Sequence, residues 1–156
     1  MAKSVTPLIG GFNPNSVDAS PVVAIGTTVV LDDGGNGTYV QALSEISTYA
    51  AVAVFDTMKA QMLTTTNSAT SKWIAVAQVS IPSGYYGWVV RGGKFLVNLA
   101  ANCAPSVPLY TTATAGVLDD ATVSAGQVGG VVATTSISNA TAVTCIGSNP
   151  NIRSVG

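Results

Sequence analysis

From Trp73 onward the chain is a series of short runs rich in β-branched and aromatic residues, each cut off by Pro, Gly or Asn. This punctuation narrows the fold more than any other feature. Trp73-Ile74-Ala75-Val76-Ala77-Gln78-Val79 is apolar almost throughout and stops at the turn Pro82-Ser83-Gly84. Tyr85-Tyr86-Gly87-Trp88-Val89-Val90 leads through Arg91-Gly92-Gly93-Lys94 into Phe95-Leu96-Val97-Asn98-Leu99, and two such runs about a Gly-Gly tip predict a hairpin. Pro105-Ser106-Val107-Pro108 is a rigid connection. Leu109-Tyr110-Thr111-Thr112 with Gly116-Val117-Leu118-Asp119 predicts a second hairpin. Residues 129–134 with 142–146, joined through Ser138-Asn139, predict a third. Turns about every 8–12 residues mark a sandwich or barrel, so the expected fold is all-β, a small β-barrel or sandwich.

Upstream the pattern is looser. Gln41 to Leu63 is the one stretch where helix competes, because Leu43, Ile46, Tyr49/Ala50 and Ala53 follow helical spacing. Thr48, Val52, Val54 and Phe55 favour strand, and the preferred reading is two short strands, around Ala50–Phe55 and Gln61–Thr65, with a helical turn near Ser44–Ser47. Thr38-Tyr39-Val40-Gln41-Ala42 reads as a short strand. Before it, Gly10-Gly11-Phe12-Asn13-Pro14-Asn15, Ser20-Pro21 and Asp32-Asp33-Gly34-Gly35-Asn36-Gly37 are turn-formers around one mostly apolar run, Val22 to Leu31. Pro7, Pro14 and Pro21 forbid a continuous helix here. The organisation expected is an extended Gly/Pro/Asn-rich N-terminal arm over residues 1–40 and a β-rich domain over residues 41–156.

Charge excludes several function classes. Only 8% of the 156 residues are charged, against about 25% in an average chain, and the net charge is −1. Without clustered Lys and Arg, nucleic acid is not an expected partner. Mean hydropathy is +0.45, yet the longest apolar run, Tyr49 to Phe55, is far short of the ~18–20 residues that span a bilayer, so no membrane partner is expected either. One lysine followed by Thr, Pro and Gly does not make a signal peptide. A nearly neutral surface has little colloidal protection, which hints that other subunits cover much of it.

No residue set points to catalysis. With no histidine, the commonest general base and zinc ligand is missing. Cys103 and Cys145 stand apart with no Cys-x-x-Cys pair, and read as ordinary, partly buried thiols, neither metal ligands nor nucleophiles. The Asp32–Gly37 stretch faintly resembles a calcium loop but lacks alternating acids and a closing Glu, and reads as a solvated turn. Asp119-Asp120 reads as a strand end. Gly84, Gly87, Gly92 and Gly93 lack the Gly-Lys-Thr/Ser ending of a phosphate loop. No catalytic, cofactor or metal residue is therefore expected, nor is an enzyme. Tyr85, Tyr86 and Trp88 form either core and subunit contacts or a platform on which a sugar could stack.

Over residues 70–135 the chain resembles the capsid decoration, or cement, proteins of tailed bacteriophages. The likeness lies in the Tyr86-Gly87-Trp88-Val89 strand with its Gly92-Gly93 tip, and in Pro108-Leu109-Tyr110-Thr111-Thr112 followed by Gly116-Val117-Leu118-Asp119. The resemblance implies an all-β virion protein on the outer capsid surface, a homo-oligomer (by the resemblance a trimer), with the major capsid protein as its partner and no cofactor. Its action would be to clamp neighbouring capsid subunits and so stabilise the shell. On composition alone, Phe12, Asn13, Pro14 and Val17 of the arm are candidate capsid contacts, while Tyr85, Tyr86, Trp88 and Tyr110 are candidate core or trimer contacts. The alternative is a host-contacting virion surface, fibre or tail component that binds glycan through its aromatics.

Overall fold

The computed structural model describes residues 13–71, 73–124 and 126–153. Its strands are β1 (Val17–Asp18), β2 (Thr28–Val30), β3 (Asn36–Ala42), β4 (Ala51–Val54), β5 (Lys59–Met62), β6 (Trp73–Ala77), β7 (Tyr86–Val90), β8 (Gly92–Leu99), β9 (Leu109–Thr111), β10 (Leu118–Asp119), β11 (Gln127–Ala133) and β12 (Thr141–Arg153). One short helix, α1 (Thr65–Ser68), stands between β5 and β6. The all-β expectation holds, and the architecture is two small barrels in tandem.

The first barrel closes through β3–β5–β4–β6–β7 and back to β3. All its pairings are antiparallel except β3 with β5. Two short strands extend it. β2 adds to β3, and β1 adds to β7 beyond the point where β6 leaves it. The second barrel closes through β10–β8–β12–β11–β9. Its longest strand, β12, pairs with β8 over Thr141–Ser148 and with β11 over Cys145–Arg153.

Both faces of the first closed sheet are buried, and this explains its unbroken apolar runs. Val52, Val54, Ala75, Ala77 and Val89 belong to one cluster, with Ile46 and Ile81. The alternate residues Ala51, Ala53, Ile74, Val76, Trp88 and Val90 belong to another, which continues into Phe95, Val97, Leu99, Leu109, Leu118 and Cys145 of the second barrel. One apolar core therefore runs between the barrels.

Several expectations are corrected. The hairpin expected between Tyr85–Val90 and Phe95–Leu99 does not form. β7 and β8 lie in different barrels with only Arg91 between them, because β7 is paired by β3, β1 and β6, and β8 by β12 and β10. The boundary at residue 40 falls inside β3, and Val29, Leu31, Tyr39 and Val40 are buried, so residues 28–40 are part of the first barrel's sheet. The helical turn lies at Thr65–Ser68 instead of near Ser44–Ser47. Thr64 caps it, its side chain accepting from the Asn67 amide while the Asn67 side chain accepts from the Thr64 amide. The strand placed around Gln61–Thr65 lies at Lys59–Met62.

Candidate functional site

The aromatic cluster is built on β3 and β7, which run antiparallel with Tyr39 opposite Trp88 and Gln41 opposite Tyr86. Because side chains alternate along a strand, Tyr39, Trp88 and Tyr86 share a face. The rings of Tyr39 and Trp88 lie 5.0 Å apart at 52°, and those of Tyr39 and Tyr86 are stacked at 6.2 Å. Trp88 is 1% exposed and Tyr39 fully buried. The Tyr39 hydroxyl donates to the Asp18 carboxylate at 2.7 Å and accepts from the Val22 amide at 3.4 Å. Burial, reinforced by the Asp18 hydrogen bond, pushes the Tyr39 phenol up to about 12. One buried ring thus pins the segment that follows β1.

That segment lines a groove of about 490 Å³ together with the barrel. Its walls are Pro21 to Ile25, Gln41 and Tyr86, with no charged side chain among them. The Gln41 side-chain amide donates to the Tyr86 hydroxyl and to the Gly84 carbonyl, both at 3.1 Å, and so holds the floor. Val22 (60% exposed), Ile25, Leu43 and Tyr85 (40% exposed) gather at this end of β3 and β7. An apolar concavity open to solvent has the chemistry of a contact site.

The residues singled out from sequence are spread across the molecule. Phe12 lies outside the described residues. Asn13 is exposed, its side chain accepting from the Asn15 amide. Pro14 is buried, and Val17 is half-buried, pairs with Gly87 and packs on the first barrel's own core. Tyr110 is buried in the second barrel on β9, remote in the topology from Trp88. Tyr85, Tyr86 and Trp88 do not form one exposed platform, since Trp88 is internal and Tyr86 half-buried. Sequence reading missed Tyr39, Gln41 and the Pro21–Ile25 wall. The apolar run from Val22 is visible in the sequence, but nothing in it marks a face turned to solvent.

Two polar clusters lie elsewhere. At the junction of the barrels, Asp33 accepts from the Gly35 amide at 3.0 Å and the Lys94 amide at 3.1 Å, which straps the β2–β3 turn to β8. Arg91 beside it lays its guanidinium over the Trp73 ring at 4.2 Å, and burial lowers its pKa. In the second barrel, the Cys103 thiol and the Asp119 and Asp120 carboxylates lie within 4.8 Å of one another. Cys103 donates to Asp119, and Asp120 accepts from the Ala104 amide, tying the loop after β8 to β10. Burial pushes Cys103 up to about 11 and Cys145 to about 12, so both thiols stay protonated at neutral pH.

No protein-family model matches the sequence, and no curated protein matches it. Among solved structures, the N base of the head fiber gp8.5 of bacteriophage phi29 is similar in fold. The match has a TM-score of 0.51 at 14% identity and covers 75% of this chain and 97% of that one.

No helix among the described residues is long and apolar enough to cross a membrane.

Proposed function

We propose that this chain is a non-enzymatic structural protein of a tailed-phage virion. It sits on the outer capsid surface as a homo-oligomer, a trimer by the decoration-protein resemblance, and binds the major capsid protein. By clamping neighbouring capsid subunits it stabilises the shell. The observation that carries this reading is the fold held in common with the base of a phage head fiber over three quarters of the chain. An uncharged apolar groove and buried aromatics agree with it, because they supply contact area. A protein that binds only the assembled lattice stabilises it by linkage, about 2.7 kcal/mol per site at a hundredfold excess over Kd.

A second reading has its own support. The similar protein is the N base of a head fiber, and by that likeness this chain would be a fibre or tail component of the virion surface, the host-contacting, glycan-binding alternative raised from the sequence. The copy number of the chain in purified virions, relative to the major capsid protein, tests both. About one copy per capsid subunit supports the cement. A small fraction supports the fibre base, and absence from particles refutes both.

A further inference from the structure

We infer that the groove walled by Pro21–Ile25 binds a neutral saccharide, with the Tyr86 ring against the sugar's C–H face and Gln41 Oε1 and the Tyr86 hydroxyl at its edge. The inference rests on the second reading above, a glycan-binding virion component, and gives that activity a place. Tyr39 stacks on one face of the Tyr86 ring at 6.2 Å and is itself held by Asp18, so the ring that lines the groove has a fixed backing. The polar groups beside it suit hydroxyls. Both side-chain N–H groups of Gln41 are spent, on the Tyr86 hydroxyl and the Gly84 carbonyl, and these bonds fix its Oε1. Among the described residues that oxygen has no hydrogen-bond partner, and it is not buried. The Tyr86 hydroxyl accepts from Gln41 and keeps its own proton to donate. An unspent acceptor and an unspent donor thus stand side by side, already ordered before any ligand arrives.

Neighbouring hydroxyls of a sugar ring each donate and accept, so they answer both groups at once, and a groove of about 490 Å³ has room for the ring. Charge selects among sugars. No cation lines the groove to meet the carboxylate of an acidic sugar, and Asp18, opposite Tyr86 in the sheet, would repel one. Backbone shape disfavours a peptide strand. Pro21–Ile25 offers no straight edge, because the chain bends there and closes a turn from the Thr27 N–H to the Ala24 carbonyl at 3.1 Å.

Saturation-transfer NMR and titration of the full chain test it, with the methyl glycosides of glucose, galactose and N-acetylglucosamine and, as the acidic counterpart, methyl glucuronide. At least one neutral glycoside is expected to bind with a Kd of about 1 mM, and the glucuronide ~5-fold or more weaker. Tyr86→Phe keeps the ring and loses the proton, and should weaken binding ~5-fold. Val132→Thr, at an exposed position of the second barrel, should bind as the wild type does. One readout needs no variant: the Tyr86 ring resonances shift on titration and those of Tyr110 stay. No transfer to any neutral glycoside overturns the inference, as does the glucuronide binding tightest, or a Tyr86 ring that does not respond. Sugar bound by a chain present at one copy per capsid subunit upholds the site and refutes the fibre base. A small copy number without sugar binding refutes the site alone.

Discussion

Trp88 and Tyr39 show how much of this molecule rests on single side chains. A chain with so few charges relies on packing, and Trp88 is its largest fully buried residue. Trp88→Ala is expected to cost ~3–5 kcal/mol, read as a lowered denaturation midpoint. An unfolding free energy within about 0.5 kcal/mol of wild type would contradict the burial. The alkaline limb of stability follows from the three raised acids. An unfolded thiol loses its proton near 9 and an unfolded tyrosine near 10, whereas Cys103 holds its proton to about 11, and Cys145 and Tyr39 to about 12. Above those lower values the unfolded chain binds fewer protons than the folded one, so stability is full below pH 9 and falls through pH 9 to 12. Melting temperature against pH should show this decline, with Tyr39→Phe removing the part that starts near pH 10 and Cys145→Ala part of that starting near pH 9. At this scale the sequence was partly legible. The aromatics of 85–88 were evident, but their partner Tyr39 sits 49 positions before Trp88, and nothing local marks a contact made across a barrel.

Elements were legible where one turn decides the pairing. Leu109–Thr111 with Leu118–Asp119, and Gln127–Ala133 with Thr141–Arg153, pair as expected, since each strand meets its sequence neighbour. The β7–β8 hairpin failed because a Gly-Gly tip states only that the chain can bend there, while the ladder partners are chosen by distant strands. Turn chemistry yields predictions in both directions. Ser106 follows Pro105 at the surface with φ 58°, a left-handed position. Ser106→Gly should add about 1 kcal/mol, a rise of about 2–4 °C in melting temperature for a chain this size. Gly130 sits at φ 81° where the β11–β12 register shifts, and a Cβ there would come within 2.5 Å of the Ser148 carbonyl oxygen. Gly130→Ala should therefore cost about 2 kcal/mol or more. A melt unchanged by both substitutions would deny that these turns are conformationally restricted.

For the whole molecule, the shared core predicts a single cooperative unit. The cluster holding Trp88, Val90 and Ile74 also holds Phe95, Val97 and Leu118, so neither barrel can open without exposing the other. Scanning calorimetry should give one transition with equal calorimetric and van't Hoff enthalpies. Two resolved transitions would mean that the barrels are independent. The all-β class was readable from punctuation and propensity, but the division into two barrels was not. Each closes by parallel or long-range pairings, β3 with β5 and β10 with β8, which leave no trace in adjacent residues.

The order of the strands sets a schedule for synthesis. Every strand of the first barrel precedes Arg91, so that barrel can close as soon as its residues leave the ribosome. The second cannot, because β8 waits for β12, the last strand of the fold in chain order. During that interval the cluster that holds Trp88 and Ile74 lacks Val143 and Cys145 of β12, while β8 has an open edge. Nascent chains are therefore most prone to stick to one another between completion of β8 and release of β12, and slow decoding or missing chaperone over that stretch would lower yield more than an equal delay earlier.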